Sequence, residues 1–301
     1  MPDRTPRVTI GVPVHNGERY LEATLASLLG QTFGDLEVVI SDNASTDGTE
    51  AIARRHVACD SRVSYVRHDV NRGAAWNHNE VARRATAELF KWAAADDLCE
   101  PTFVARCVEA LDADPTAVLA LPAVVEIDDD GAELGPWHHP LALGHPRPEV
   151  RFRDLLRIGY QCYHVYGVVR RAALARTGLI GPFIESDMVT LAELALHGRF
   201  LDLDDPLFLH RLHPQRSVEV FPDRYDRAAW FDARKRNRLV FPTWRFLYEY
   251  LRAVQRAPLS AADTGRCLGE VAGWVWYAKR SFARDFKQTA LRVSGRRPVP
   301  R

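Results

Sequence analysis

Val8-Thr-Ile-Gly-Val-Pro13-Val14-His15-Asn16 decides the fold of this 301-residue chain. Its first seven residues carry no charge and stop at a polar pair, the pattern of a short buried strand that ends in a site. Two further runs end the same way. Leu36–Ser41 stops at Asp42-Asn-Ala-Ser-Thr-Asp47-Gly48, and Leu89–Ala95 stops at Asp96-Asp97. Polar clusters at successive strand ends are how an α/β sheet builds a site outside the carboxyl ends of its strands. These clusters are acidic and no glycine-rich phosphate loop accompanies them. The reading is a nucleotide held through a bridging metal rather than cradled by backbone amides.

Helical patterns separate the strands. Glu18 to Gln31 places Leu21, Leu25, Leu28 and Leu29 on one face, and Asp47-Gly-Thr-Glu50 reads as a capped start of a helix through Val57. Val63–Val66 is a third strand, Gly73–Thr86 a polar helix, Glu100–Leu111 a helix opened by Pro101, and Ala117–Ile127 a further strand. Strands alternating with helices predict a mostly parallel sheet flanked by helices. Residues 128–148 change to Asp, Gly, Pro and His and read as a long loop or flap. Arg151–Ile158 and Met188–His197 look helical, and Tyr166–Val169 and Phe200–Leu203 look like strands that complete the sheet.

Charge divides the chain. From Arg224 to Arg301 there are 18 Lys+Arg against 6 Asp+Glu, whereas the preceding residues hold 22 against 33. This predicts an acidic catalytic body, residues 1–221, and a basic, Trp-rich helical region, residues 222–301. The five scattered cysteines form no CxxC pair, which argues against a disulfide framework or a zinc site and for a reducing, cytoplasmic setting. No apolar stretch long enough for a signal peptide stands before the first strand-like run, and no run of about 18 apolar residues is present to span a bilayer.

Several residues at the strand ends can carry chemistry. Adjacent Asp96 and Asp97 repel unless a cation lies close by, and hard divalent ions take one or two carboxylates together with substrate phosphates. Asp42 can accept a hydrogen bond from a pyrimidine N–H, or it can simply organise its turn. In Asn71-Arg72-Gly73, Arg72 could neutralise a diphosphate and Gly73 would allow close backbone approach.

Taken in order, Val8–Asn16, Leu28-Leu-Gly-Gln-Thr-Phe33, Glu37–Thr49, Asn71-Arg-Gly73 and the Asp pair resemble family 2 glycosyltransferases over about Arg7 to Ser217. The resemblance implies a GT-A fold with a C-terminal helical extension and inverting transfer from a nucleotide sugar. It implies that Pro13, His15, Asn16 and Asp42 line the nucleotide pocket, that Arg72 approaches the base or diphosphate, and that Asp96 ligates Mg²⁺ or Mn²⁺. One departure is Ala94, where the family's DxD motif has its first acid, so that Asp97 is left as the second carboxylate.

Inversion also needs a general base for the acceptor hydroxyl. The family places a carboxylate ahead of a helix for this, which implies Asp187, with Glu185 in reserve; helix capping is the plain alternative for Asp187. In His210-Arg211-Leu-His213-Pro214, the resemblance implies either His213 on the metal or Arg211 on the leaving diphosphate. The expected partners are a nucleotide-sugar donor and an acceptor hydroxyl, for which a lipid-linked glycan is a candidate, and no nucleic acid. The tail around Trp230, Trp244, Trp274 and Trp276 is expected to pack on the body, with weak peripheral contact at the inner face of an anionic membrane as the competing expectation. The missing acid at Ala94 keeps open a non-catalytic nucleotide-sugar-binding protein. The missing phosphate loop speaks against a nucleotidyltransferase or a dehydrogenase.

Overall fold

The computed structural model describes residues 5–293 except 140, 159–162, 222 and 236–238. Cys162 therefore lies outside the described residues, and the other four cysteines are free.

The elements in chain order are β1 (Val8–Val14), α1 (Leu21–Leu29), β2 (Leu36–Asp42), α2 (Thr49–Cys59), β3 (Val63–Arg67), α3 (Ala74–Arg84), β4 (Leu89–Trp92), β5 (Leu98–Cys99), α4 (Phe103–Ala113) and β6 (Ala117–Ile127). They continue as β7 (Glu133–Trp137), α5 (Pro148–Arg157), β8 (Val168–Arg170), α6 (Arg171–Leu174), α7 (Ser186–His197) and β9 (Arg199–Arg211). Helices α8 (Ser217–Val220), α9 (Arg224–Phe231), α10 (Pro242–Arg256), α11 (Ala261–Tyr277) and α12 (Lys279–Val293) follow.

One sheet runs β3-β2-β1-β4-β8-β6-β9-β5, with β7 paired to β6. β1 pairs in parallel with β2 and β4, β2 with β3, and β6 with β9, so most of the ladder is parallel as the helix–strand alternation predicts. β8 is antiparallel to both β4 and β6. All seven residues of β1 are buried, which is why the run reads as continuously apolar rather than alternating. Pro13 lies beyond the last β1–β4 pair, Gly11 with Trp92, so its missing N–H removes no ladder bond on that side. Gly11 lets α3 lie close against β1: a Cβ there would stand 2.7 Å from Val81 Cβ.

Several boundaries differ from the sequence reading, each for a local reason. α2 is capped by Gly48 rather than Asp47, whose carboxylate instead accepts from the Thr49 amide and hydroxyl and from the Glu18 amide. α4 begins at Phe103 because the Gln31 side chain takes over its start. Gln31 Oε1 accepts from the Val104 amide at 2.9 Å while Nε2 donates to the Glu100 carbonyl at 2.9 Å. Within 128–148 the chain forms a hairpin strand, β7, after a turn organised by Asp128 and Gly131, the latter at φ 94°. β9 is far longer than Phe200–Leu203: Asp202, Asp204 and Asp205 interrupt the apolar pattern where one face is exposed and the register with β6 shifts.

The C-terminal helices share the core of the body. Tyr250 of α10 is buried between Phe152 of α5 and Trp274 of α11, with ring centroids 6.0 and 5.1 Å away. Arg256 grips buried Glu193 of α7 with two hydrogen bonds of 2.6 and 2.8 Å. The tryptophans divide: Trp274 is buried, whereas Trp244 is 44% and Trp276 73% exposed. No helix among the described residues is long and apolar enough to cross a membrane.

Candidate active site

The site is built at the carboxyl ends of β1, β2 and β4. Its first wall is a lacing of two loops. Asn16 follows β1 in the left-handed region at φ 55°; its amide donates to Ser45 Oγ at 2.9 Å and its Oδ1 accepts from the Thr46 amide at 2.8 Å. His15 beside it is exposed, as is Asn16, and Pro13 is buried in the strand. Asp42 is fully buried, one oxygen accepting from the Ser45 amide at 2.8 Å and the other from the Tyr65 hydroxyl at 2.7 Å. Asp42 thus ties the turn after β2 to β3 from within. Burial, then that hydrogen bond, pushes the Tyr65 phenol well up, which keeps it a donor.

Asn77 was not legible as a site residue, since its partners are backbone atoms of two other elements. Its Nδ2 donates to the carbonyls of Ser41 (2.8 Å) and Val14 (3.3 Å), and its Oδ1 accepts from Ser41 Oγ at 2.6 Å. It clamps the β1 and β2 ends at a fixed separation. Asn43 does the same for the next turn, donating to Asn71 Oδ1 and accepting from the Arg72 amide. The Arg72 guanidinium is exposed and lies over the Trp76 ring, 4.6 Å from its centroid.

The two adjacent aspartates face different ways. Asp96, with its side chain 31% exposed, places Oδ2 2.8 Å from His213 Nε2, and the His213 ring stacks on Tyr20 at 4.6 Å. Asp97 is turned inward: its Oδ1 accepts from the Arg211 amide at 2.9 Å and lies 3.0 Å from His210 Nδ1. Burial opposes charge on His210, but the Asp97 carboxylate outweighs it and raises the imidazole above its ordinary value. Arg211 is also engaged inward, donating to the carbonyls of Asp96, Asp128 and Asp129. Its guanidinium binds the loops together and lies 5.3 Å from the Tyr20 ring centroid. The Tyr20 hydroxyl donates to Asp129, which also pairs with Arg19 at 2.6 Å. A partly exposed carboxylate oxygen aimed at an imidazole nitrogen is a donor set that suits Mn²⁺ or Mg²⁺, the nitrogen favouring Mn²⁺.

A third carboxylate joins them. Asp187, at the start of α7, is half-buried; burial, then the neighbouring Glu185, raises its carboxyl to about 6. Glu185 is exposed and held at φ 57° as the residue before the helix. Tyr166 links the two parts of the site. Burial, then the charges of Asp97, Asp96 and Asp187, pushes its phenol well above the usual range, so the hydroxyl feels the charge of all three carboxylates. Buried Lys91 holds that residue in place by donating to the Tyr166 carbonyl at 2.6 Å. Tyr166 and Tyr20 gave no signal in the sequence, because their roles come from packing and not from spacing.

Comparison with known proteins agrees with this geometry. The family model described as "Glycosyl transferase family 2" matches residues 9–178. The chain is 31% identical over 128 residues to the chondroitin synthase of Escherichia coli, a match covering 42% of this chain and 18% of that protein. The matches to the first curated relatives span less than two fifths of those proteins' lengths. Among solved structures, S. aureus TarS in complex with UDP superposes with a TM-score of 0.64 at 16% identity, over 90% of this chain and 72% of that one. The mannosyltransferase of Pyrobaculum calidifontis in complex with GDP-Man and Mn²⁺ gives 0.53 at 22% identity, over 97% and 82%. These two likenesses establish a shared fold.

Proposed function

This chain belongs to glycosyl transferase family 2, and from that membership we propose that it moves a hexosyl unit from a nucleoside-diphosphate sugar to an acceptor hydroxyl with inversion at the anomeric carbon. The observations that carry the proposal are the partly exposed Asp96 carboxylate set against His213 after β4, and the half-buried Asp187 carboxyl at the start of α7, raised to about 6. A base of that strength is mostly ionised at neutral pH yet can hold a proton as the acceptor oxygen attacks. Asp187 takes that proton, with Glu185 as the exposed reserve at the helix start.

On the donor side, the β1 end at Pro13, His15 and Asn16 forms the pocket wall, and Asp42 sets the floor on which the base rests. Arg72, exposed beside the Asn43–Asn71 turn, offsets diphosphate charge. Asp96 and His213 are the pair that would hold Mg²⁺ or Mn²⁺, which when bound supplies charge neutralisation on the leaving nucleoside diphosphate. Asp97 and Arg211 position that pair from within. The sugar nucleotides bound in structural neighbours, UDP-GlcNAc in S. aureus TarS and GDP-Man with Mn²⁺ in the mannosyltransferase, support a nucleotide-sugar donor here.

We assign transfer to residues 1–221 and read residues 222–301 as a basic helical region docked on that body. Exposed Trp276 and Tyr277, close to Lys279 and Arg280, support a peripheral contact of this region with anionic lipid at the cytoplasmic face, and with it a lipid-linked glycan acceptor.

The test is donor turnover by the full chain with Mn²⁺ present, scored by nucleoside diphosphate release and by the anomeric configuration of the product. Inverted product that disappears with Asp187→Asn, while donor binding survives, is the expected result. Donor binding with no turnover, indifferent to Asp187→Asn, returns the chain to a non-catalytic nucleotide-sugar-binding protein.

A further inference from the structure

His139, His164 and Asp202 lie far apart in sequence, yet each brings one ligand atom within 4.8 Å of the other two. His139 follows β7, His164 sits in the turn before β8, and Asp202 is on β9. The His164 ring is fully buried, with Nε2 2.6 Å from Asp202 Oδ1, and His139 Nε2 approaches the same oxygen at 3.5 Å. Aromatic rings frame the group: Trp137 against His139 at 4.9 Å and Phe200 against His164 at 5.9 Å. A pocket of about 160 Å³ opens over it, lined among others by His138, His139 and Asp202.

This group is separate from the catalytic carboxylates. Asp202 pairs with Leu121 of β6, and His210 with Glu126. The two positions are therefore five residue steps apart along β6, roughly 16 Å at about 3.3 Å per residue.

We propose that His139, His164 and Asp202 form a second, nitrogen-rich metal site that takes Zn²⁺ or Co²⁺ in preference to Mg²⁺ or Mn²⁺. Two imidazole nitrogens and a carboxylate oxygen suit a borderline transition metal, with a fourth position open for water or for His138 at the pocket rim. Hard ions that demand oxygen ligands gain little there. Tetrahedral bonds of about 2.0–2.2 Å put ligand atoms roughly 3.3 Å apart, so the His164–Asp202 pair opens slightly on loading and the His139 contact is already at that spacing. His139 Nδ1 then carries the ring proton and gives up its bond from the Leu141 amide, which at 3.3 Å is a long one. Loading would staple the β7 hairpin to β9 and to the turn that also carries Tyr166, stiffening the region beside Asp187 without entering the reaction.

Co²⁺ titration of the full-length chain tests this, followed by visible absorption and calorimetry in excess Mg²⁺ and independent of any activity. Asp96→Ala removes the proposed catalytic metal site, and that variant is expected to keep one Co²⁺ equivalent and a Tm raised by Zn²⁺. Adding His139→Ala, or the isosteric Asp202→Asn, should weaken that binding by more than the roughly 10- to 100-fold that loss of an outer-sphere partner costs. An Asp96→Ala protein that binds no Co²⁺, or one whose binding is unchanged by His139→Ala, overturns the proposal and leaves the group a hydrogen-bonded clamp. Neither result bears on sugar transfer, which is read from donor turnover.

Discussion

The backbone amide of Arg211 donates to Asp97 Oδ1 at 2.9 Å, and so the end of β9 is tied to the loop that follows β4. Together with the Arg211 guanidinium bond to the Asp96 carbonyl, this bond sets the segment after β9, which bears His213, opposite Asp96. The two neighbouring carboxylates therefore divide the work, one facing the cleft and one holding the frame.

The division can be measured. Asp97→Ala leaves the buried Arg211 amide and the His210 ring without their partner, and should cost about 2–3 kcal/mol of stability in denaturant unfolding. Asp96→Ala removes a partly exposed side chain and should change stability by less than about 1 kcal/mol, yet abolish metal-dependent turnover. Equal stability losses in the two variants would refute the division.

Asp187 makes a prediction about pH. Its carboxyl is raised to about 6 in the folded protein, above the ordinary aspartate value of 3.8, so the native state holds a proton that the unfolded chain has already released. Stability from this group is thus present below about pH 4 and lost as pH rises through 6. Asp187→Asn should accordingly raise stability at pH 7–8, by up to about 2 kcal/mol allowing for partial solvent contact, and make no difference below pH 4. In the wild type, turnover should fall below about pH 6 as the base becomes protonated. A pH-independent effect of the Asn variant on Tm would show that the carboxyl is not perturbed.

Arg72 is exposed and its guanidinium lies over the Trp76 face, so Arg72→Ala should be close to neutral for folding. Loss of a charge-assisted contact to a diphosphate should raise the donor KM roughly 10- to 100-fold, with kcat less affected. Weakening that is the same for a nucleoside and for its diphosphate would place Arg72 away from the phosphates.

Asn77→Ala removes three hydrogen bonds at the β1 and β2 ends. About 2–3 kcal/mol of stability should be lost, together with donor affinity, because the pocket wall and floor are no longer held at one separation. Calorimetric binding of a nucleoside diphosphate to the still-folded variant reads the second effect.

Much of this architecture was legible in the chain. β1, β2 and β4 are buried on both faces, so their apolar runs read directly as strands, and the polar stops at Asn16, Asp42 and Asp96 follow their carboxyl ends. β9 was read as only four residues because its solvated face carries Asp202 and Asp204, which with Asp205 and Pro206 imitate a loop. The hairpin strand β7 stayed hidden for a similar reason, being an edge strand with mostly exposed side chains. Residues whose partners lie more than fifty positions away, such as Asn77 with Val14 or Lys91 with Tyr166, leave no trace in local spacing. The inward turn of Asp97 is likewise set by β9, which no motif around residues 94–97 could announce.

Gly73, at φ 93° in the turn beside Arg72, lies so close to the end of α9 that an added Cβ would stand 2.6 Å from the Phe231 carbonyl oxygen. The nucleotide-side turn and the C-terminal region are therefore shaped against each other. A chimera that exchanged the tail with that of a relative would inherit a different lining behind the same turn, so donor preference and tail identity would be transplanted together.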